Sequence, residues 1–137
     1  MTPADAARLR EVYRRESRSL LRYVRGASPY TSLADRGVRD ALFRVADESA
    51  AALDALGDYL ERVRVDLPPL GSYPVAFTDL NFVAVRSLLP RVAAEQRLDL
   101  TALEADAAAT TDPAARAAVG ALADLHRRHS KELDALG

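Results

Sequence analysis

Residues Asp66 to Phe77 read Asp-Leu-Pro-Pro-Leu-Gly-Ser-Tyr-Pro-Val-Ala-Phe, and this stretch decides the fold. Proline fixes φ and has no backbone N–H to donate, so three prolines and a glycine within twelve residues rule out a helix and leave an extended connection. About a dozen extended residues reach about 40 Å, close to the length of a 30-residue helix. The segment is therefore long enough to carry the chain from one end of a helical layer to the other.

Helical patterns flank it on both sides. Thr2-Pro3 supplies a capping hydroxyl and an N1 proline, and Leu9, Tyr13, Leu20, Tyr23 and Val24 follow at helical spacing until Gly26 and Ser28-Pro29 end the first helix. Ser32-Leu-Ala-Asp35 has the form of a capping box with Asp in place of Glu. It opens a second helix that turns Leu42, Val45, Ser49, Leu53, Leu56, Leu60 and Val63 inward. Beyond the proline-rich stretch, Thr78-Asp79 is placed to cap a third helix with Leu80, Ala84, Leu88, Val92, Leu98, Ala102 and Ala105 on its inner face. Pro90 removes one backbone bond there and predicts a bend between Arg86 and Pro90. Asp112-Pro113 starts a fourth helix carrying Ala115, Val119, Leu122, His126, His129, Leu133 and Leu136 at alternating spacings of three and four. Short connections fall at residues 27–32 and 108–112. The expectation is a single all-α domain over residues 1–137, a four-helix bundle with one long crossover between the second and third helices.

Composition excludes several kinds of chemistry. The 137 residues contain no Cys, which removes disulfides, thiolate nucleophiles and sulfur-ligated metals together. A net charge of -1 with both signs interspersed gives no field to steer a nucleic acid. The basic pairs Arg14-Arg15 and Arg127-Arg128 read as a solvated outer face. No stretch approaches the roughly 20 apolar residues of a membrane span, and Asp5, Arg8, Arg10 and Glu11 interrupt a signal-peptide core, so a cytoplasmic location is expected. The glycines never cluster as a phosphate cradle, and no serine or threonine stands in a pattern suggesting a hydrolytic triad.

The residues with chemical potential are those predicted to point inward although they are polar. Glu16 is in register with Leu9, Tyr13, Leu20 and Tyr23, and a buried carboxylate is costly unless paired or bound to a cation. Glu48 sits at the edge of the second helix's apolar stripe. Glu95 shares the line of Leu88, Val92 and Leu98, with Asp99 one turn further on. His126 and His129 both fall on the inner stripe of the fourth helix. At 1.5 Å per residue from the expected helix ends, Glu16, Glu48, Glu95 and His126 come to similar levels near the middle of the bundle. Two readings fit such a set. In one, the histidines hydrogen-bond core carboxylates, with Tyr13, Tyr23 and Tyr59 joining the same network. In the other, Glu16, Glu48, Glu95, His126 and His129 are metal ligands.

In its architecture, its proline-rich crossover, the inward Glu16, Glu48 and Glu95, and the run Arg14-Arg-Glu-Ser-Arg-Ser-Leu-Leu-Arg-Tyr23, nearly the whole chain resembles the ferritin-like superfamily. That resemblance implies a di-metal site in which two helices each give a Glu and two others each give a Glu-x-x-His pair, with iron or manganese as the metal. The sequence departs from the pattern. Glu48-x-x-Ala51 and Glu95-x-x-Leu98 keep the carboxylate but lack the imidazole, and His126-x-x-His129 is preceded by Ala123. Three carboxylates and one or two imidazoles suit one cation better than two.

The leading functional expectation is a non-catalytic module that associates with itself or with a protein partner through faces rich in small residues, such as Ala50 to Ala52 and Ala107 to Ala109. The alternative is a metal-binding oxidoreductase or storage protein. A third reading places a small-molecule pocket near the Pro90 bend, with Asn81 facing it.

Overall fold

A computed structural model describes residues 1–137. Five α-helices and two short 3-10 turns make up its regular structure: α1 (Pro3–Ser17), α2 (Leu20–Tyr23), a turn at Leu33–Asp35, α3 (Arg36–Arg62), a turn at Val75–Leu80, α4 (Val85–Ala109) and α5 (Pro113–Leu136). The fold is all-helical, with one isolated backbone bridge between Tyr30 and Ala84. No helix is long and apolar enough to cross a membrane.

Two helix starts follow their sequence signals directly. Thr2 accepts a hydrogen bond from the Asp5 amide, and Asp112 accepts one from the Ala115 amide, each followed by a proline that has no donor to lose. Other ends differ from expectation. The first helix does not run to Gly26: it stops at Ser17, where the Ser17 hydroxyl bonds back to the Tyr13 carbonyl, and Ser19 caps the separate turn α2 by accepting from the Arg22 amide. Serine hydroxyls compete with the helical ladder for backbone partners, and here they break it. The Ser32–Asp35 capping box does not form. Asp35 accepts instead from Arg86 at 2.7 Å, tying the start of α3 to α4.

The third long helix begins at Val85 and not at Thr78-Asp79. Residues 75–80 form a 3-10 turn, Phe82 lies in the left-handed region at φ 62°, and the Tyr30 bridge fixes the next residues as extended chain. The Asn81 side-chain oxygen accepts from the Tyr23 hydroxyl at 2.5 Å, and the surface groove beside Pro90 is lined without it. From Val85 the helix is continuous through Pro90.

The crossing connection runs along the first two helices. Arg10 donates to the Asp66 carbonyl at 2.9 Å and Arg18 to the Ser72 carbonyl at 2.8 Å. Tyr23, Tyr73 and Phe77 then form a tilted aromatic cluster with centroids 5.2 to 6.2 Å apart. The four long helices all touch one another. α4 and α5 run antiparallel, as the Glu104–Arg127 and Arg97–Asp134 ion pairs require.

The core consists of two apolar clusters. One is built from Leu20, Leu21 and Val24, Val38 to Ala46 of α3, Val85 to Ala93 of α4, and Leu133 of α5. The other takes Leu9 and Val12, Leu53 to Leu60, Leu103, and Ala115 to Ala123. α3, α4 and α5 change cluster at polar residues, Ser49 on α3, Gln96 and Asp99 on α4, and His126, His129 and Ser130 on α5, and α1 ends its part in the second cluster at Glu16, beyond which α2 joins the first. The apolar interior is thus divided by a polar layer to which all four long helices contribute.

Candidate functional site

One oxygen or nitrogen from each of Glu16, Asp99 and His126 lies within 4.8 Å of the others. Glu16 and His126 are buried and Asp99 is partly so. Glu16 occupies the last turn of α1, just before the break at Ser17–Ser19, so its level is set by where that helix stops. The relative height of α1 and α5 is set elsewhere, by Asp5. This carboxylate is 1% exposed and accepts from the Thr111 amide, the Thr111 hydroxyl and the Asp112 amide at 2.8 to 3.0 Å. These bonds, with the Thr111 amide foremost, hold its pKa down at about 2. Asp5 therefore clamps the α4–α5 turn to the first helix as an ionised group, and that clamp brings Glu16 and His126 to one level.

The protonation of His126 follows from its partners. Nδ1 lies 3.0 Å from the Leu122 carbonyl, which can only accept, so Nδ1 carries a hydrogen. Nε2 then faces Glu16 Oε2 at 3.3 Å, longer than a charge-assisted bond of about 2.7–2.9 Å. In a neutral imidazole these two atoms would both be acceptors, so a proton or a cation has to lie between them. Burial opposes charge on His126, but the hydrogen bond and charge of Glu16, helped by Asp99, raise its pKa above the usual histidine value. Asp99 is pushed up to about 7 by burial first, then by the negative charge of Glu16 and hydrogen bonding to it, against smaller opposing effects of His126 and Arg15. Two carboxylates in one dry layer cannot both ionise without compensation.

Around this cluster several buried polar atoms have no hydrogen-bond partner: Glu16 Oε1, Gln96 Oε1, His129 Nδ1, Ser130 Oγ and Arg15 Nε. Native interiors leave few such atoms. Gln96 lies one turn before Asp99 on α4, and Ser130 one turn after His126 on α5.

The five residues expected at the site separate into three groups. Glu16 and His126 meet. His129 is buried but turns to Glu48, donating from Nε2 at 2.9 Å. Burial lowers its pKa despite that bond. Glu48 is at the surface with a side chain 43% exposed, held there also by Arg44, which bonds Glu132 as well. Hydrogen bonds from His129 and then Arg44 lower the Glu48 pKa. Glu95 is half-buried beside the Leu20 amide, and burial raises its pKa against that contact. Glu48 and Glu95 do not join the cluster.

The place assigned to Glu95 belongs to Asp99. Leu98, expected inward, is 72% exposed, whereas Gln96 is 1% exposed and the buried line runs Leu88, Val92, Gln96, Leu103 with Asp99 beside it. Arg15, expected on the solvated face, lies 3.7 Å from Glu16 Oε1 and 3.0 Å from Asp106. The tyrosines stay out of the histidine layer: Tyr23 bonds Asn81, and the Tyr13 ring lies against Gly57.

Fold and site together define an all-helical protein with a buried acid–imidazole cluster in a mid-core polar layer. No family model, curated protein or solved structure matches the chain.

Proposed function

We propose that this chain is a ferritin-like four-helix bundle that binds one divalent cation between Glu16, Asp99 and His126. The observation that carries this reading is the meeting of two carboxylates and one imidazole nitrogen within 4.8 Å in the dry middle of the core. Two carboxylates and one imidazole fit a hard to borderline dication such as manganese or iron. Around such an ion, ligand bonds of about 2.0–2.2 Å place neighbouring donors about 3–4 Å apart, so a small inward movement of the three side chains completes the sphere. His126 is oriented as metal-binding histidines are, with Nδ1–H held by a backbone carbonyl and Nε2 aimed at the site. The dication would displace the proton now shared in the cluster, cancel both carboxylate charges, and give Glu16 Oε1 the partner it lacks.

One cation is favoured over two because Glu48 is kept at the surface by Arg44 and His129, and Glu95 faces the start of α2. Bound iron or manganese would supply Lewis acidity and one-electron exchange. The residues of this chain supply the dry cage, and Asp99 gives up its proton when the ion enters. The single crossover joining α3 to α4 and the level convergence of four helices support the ferritin-like layout. The test is titration of metal-free protein with Mn2+ at pH 7.5, following the free ion by electron paramagnetic resonance. One site per chain is expected in the wild type and none in Glu16→Gln or His126→Gln. Uptake unchanged in both variants contradicts the assignment.

A second reading, self-association, is favoured by a surface groove between α3 and α5. The groove has a volume of about 410 Å³, and nine of its ten lining residues are hydrophobic, among them Ala52, Ala55, Tyr59, Ala117 and Ala121. Small side chains let another helix approach closely. Sedimentation equilibrium is expected to give a dimer at high protein concentration that Ala117→Glu disperses, and a monomer throughout the range excludes this reading.

A further inference from the structure

We infer that Arg15 is the gate of the cation site, closing it from solvent and latched shut by Asp106; this rests on the cation reading above. The Arg15 side chain is 28% exposed and lies at the edge of an otherwise buried cluster. Its Nη2 spans two carboxylates, donating to Asp106 Oδ2 at 3.0 Å and standing 3.7 Å from Glu16 Oε1. The first contact is a hydrogen bond and the second is only an ion pair. The guanidinium is thus fastened at the rim and merely rests on the ligand oxygen.

Two further features make the closed position easy to leave. Arg15 Nε is buried without a partner, which costs free energy that outward rotation into water recovers. Asp106 is itself partly exposed, so the ion pair with Arg15 is partly screened by solvent. Glu16 Oε1, the oxygen that Arg15 covers, has no hydrogen bond of its own and is the atom exposed by that rotation. The gate is also an electrostatic competitor, because a guanidinium a few ångströms from a dication repels it. Closure and charge are separable: Asp106→Asn weakens the latch to a neutral hydrogen bond and keeps the Arg15 charge, whereas Arg15→Gln removes both.

The experiment mixes metal-free protein with Mn2+ in stopped flow, reads the free ion with a fluorescent indicator, and measures equilibrium affinity on the same samples. Arg15→Gln is expected to load about tenfold faster and to bind about tenfold more tightly. Asp106→Asn is expected to load severalfold faster with no gain in affinity. Thermal melting of each variant checks that the fold is retained. Either variant loading at the wild-type rate or more slowly overturns the gate while leaving the cation site intact. Absence of uptake by the wild type and both variants removes the cation site and the gate with it. Uptake by both Arg15→Gln and Asp106→Asn without uptake by the wild type supports both.

Discussion

Asparagine in place of Asp99 is expected to raise the melting temperature of the metal-free protein at pH 8 by roughly 5–10 °C and to raise it by less than half as much at pH 5. The native Asp99 pKa of about 7 stands above the value of 3.8 for the free side chain. Between those values the native state keeps a proton that the unfolded chain has lost. Stability from this group is therefore full at low pH, falls as pH rises toward 7, and is constant above. Its upper magnitude is about 4 kcal/mol, reduced where Asp99 and Glu16 share the burden. His126, with its pKa raised, adds a loss of the same sign as pH passes upward through its native value. Glu95, also raised, acts in the same direction at lower pH. His129, with its pKa lowered, opposes them by gaining stability as pH rises toward 6.5. The wild type should consequently melt lower at pH 8 than at pH 5, and Asp99→Asn should flatten that slope while abolishing stabilisation by Mn2+. Calorimetry at the two pH values checks this. A wild-type melting temperature that rises with pH, or an asparagine variant that melts lower at pH 8, contradicts the description of the cluster.

Removal of the Asp5 carboxylate is the second large effect. Asp5→Ala leaves the Thr111 and Asp112 amides and the Thr111 hydroxyl without their acceptor, and these are charge-assisted bonds in a buried setting. The melting temperature at pH 7 should fall by about 10 °C. Because this clamp sets the height of α5 against α1, the same substitution should weaken Mn2+ binding although Asp5 touches no part of the site. Asp5→Asn, which keeps one acceptor, should lie between the two chains. The clamp also predicts that the stability contributed by Asp5 is full above pH 3.8 and is lost as the pH falls from there toward 2. An alanine variant within about 2 °C of the wild type would mean that the α4–α5 turn is held by something else.

How much of this was legible in the sequence depended on whether a residue's surroundings obeyed hydrophobic periodicity. Thr2-Pro3 and Asp112-Pro113 marked true helix starts because capping is local chemistry. His126 and His129 were placed inward correctly because Leu122 and Leu133 bracket them on a regular stripe. α4 misled for the opposite reason. Its inner line passes through Gln96 and Asp99, so the one leucine in that stretch, Leu98, drew the expected face round to the wrong side and carried Glu95 with it. A polar layer in a core has the composition of a surface, and periodicity cannot find it.

Glu48 was readable as the i,i+4 partner of Arg44, which draws it outward. Asp5 and Arg15 were invisible in kind, since their partners Thr111 and Asp106 lie 106 and 91 residues away. The break at Ser17–Ser19 leaves only two serines as its trace, and serines occur in many unbroken helices.

The measurement that bears most directly on the cation site is a crystal structure of the protein grown with Mn2+, with diffraction recorded on both sides of the manganese absorption edge. The expected result is a single anomalous peak inside the core, about 2.2 Å from an oxygen of Glu16, an oxygen of Asp99 and Nε2 of His126, with Arg15 still paired to Asp106. A map with no peak in that layer, and His126 still bonded to Glu16 at the present 3.3 Å, would contradict the assignment and leave the cluster a proton-sharing network.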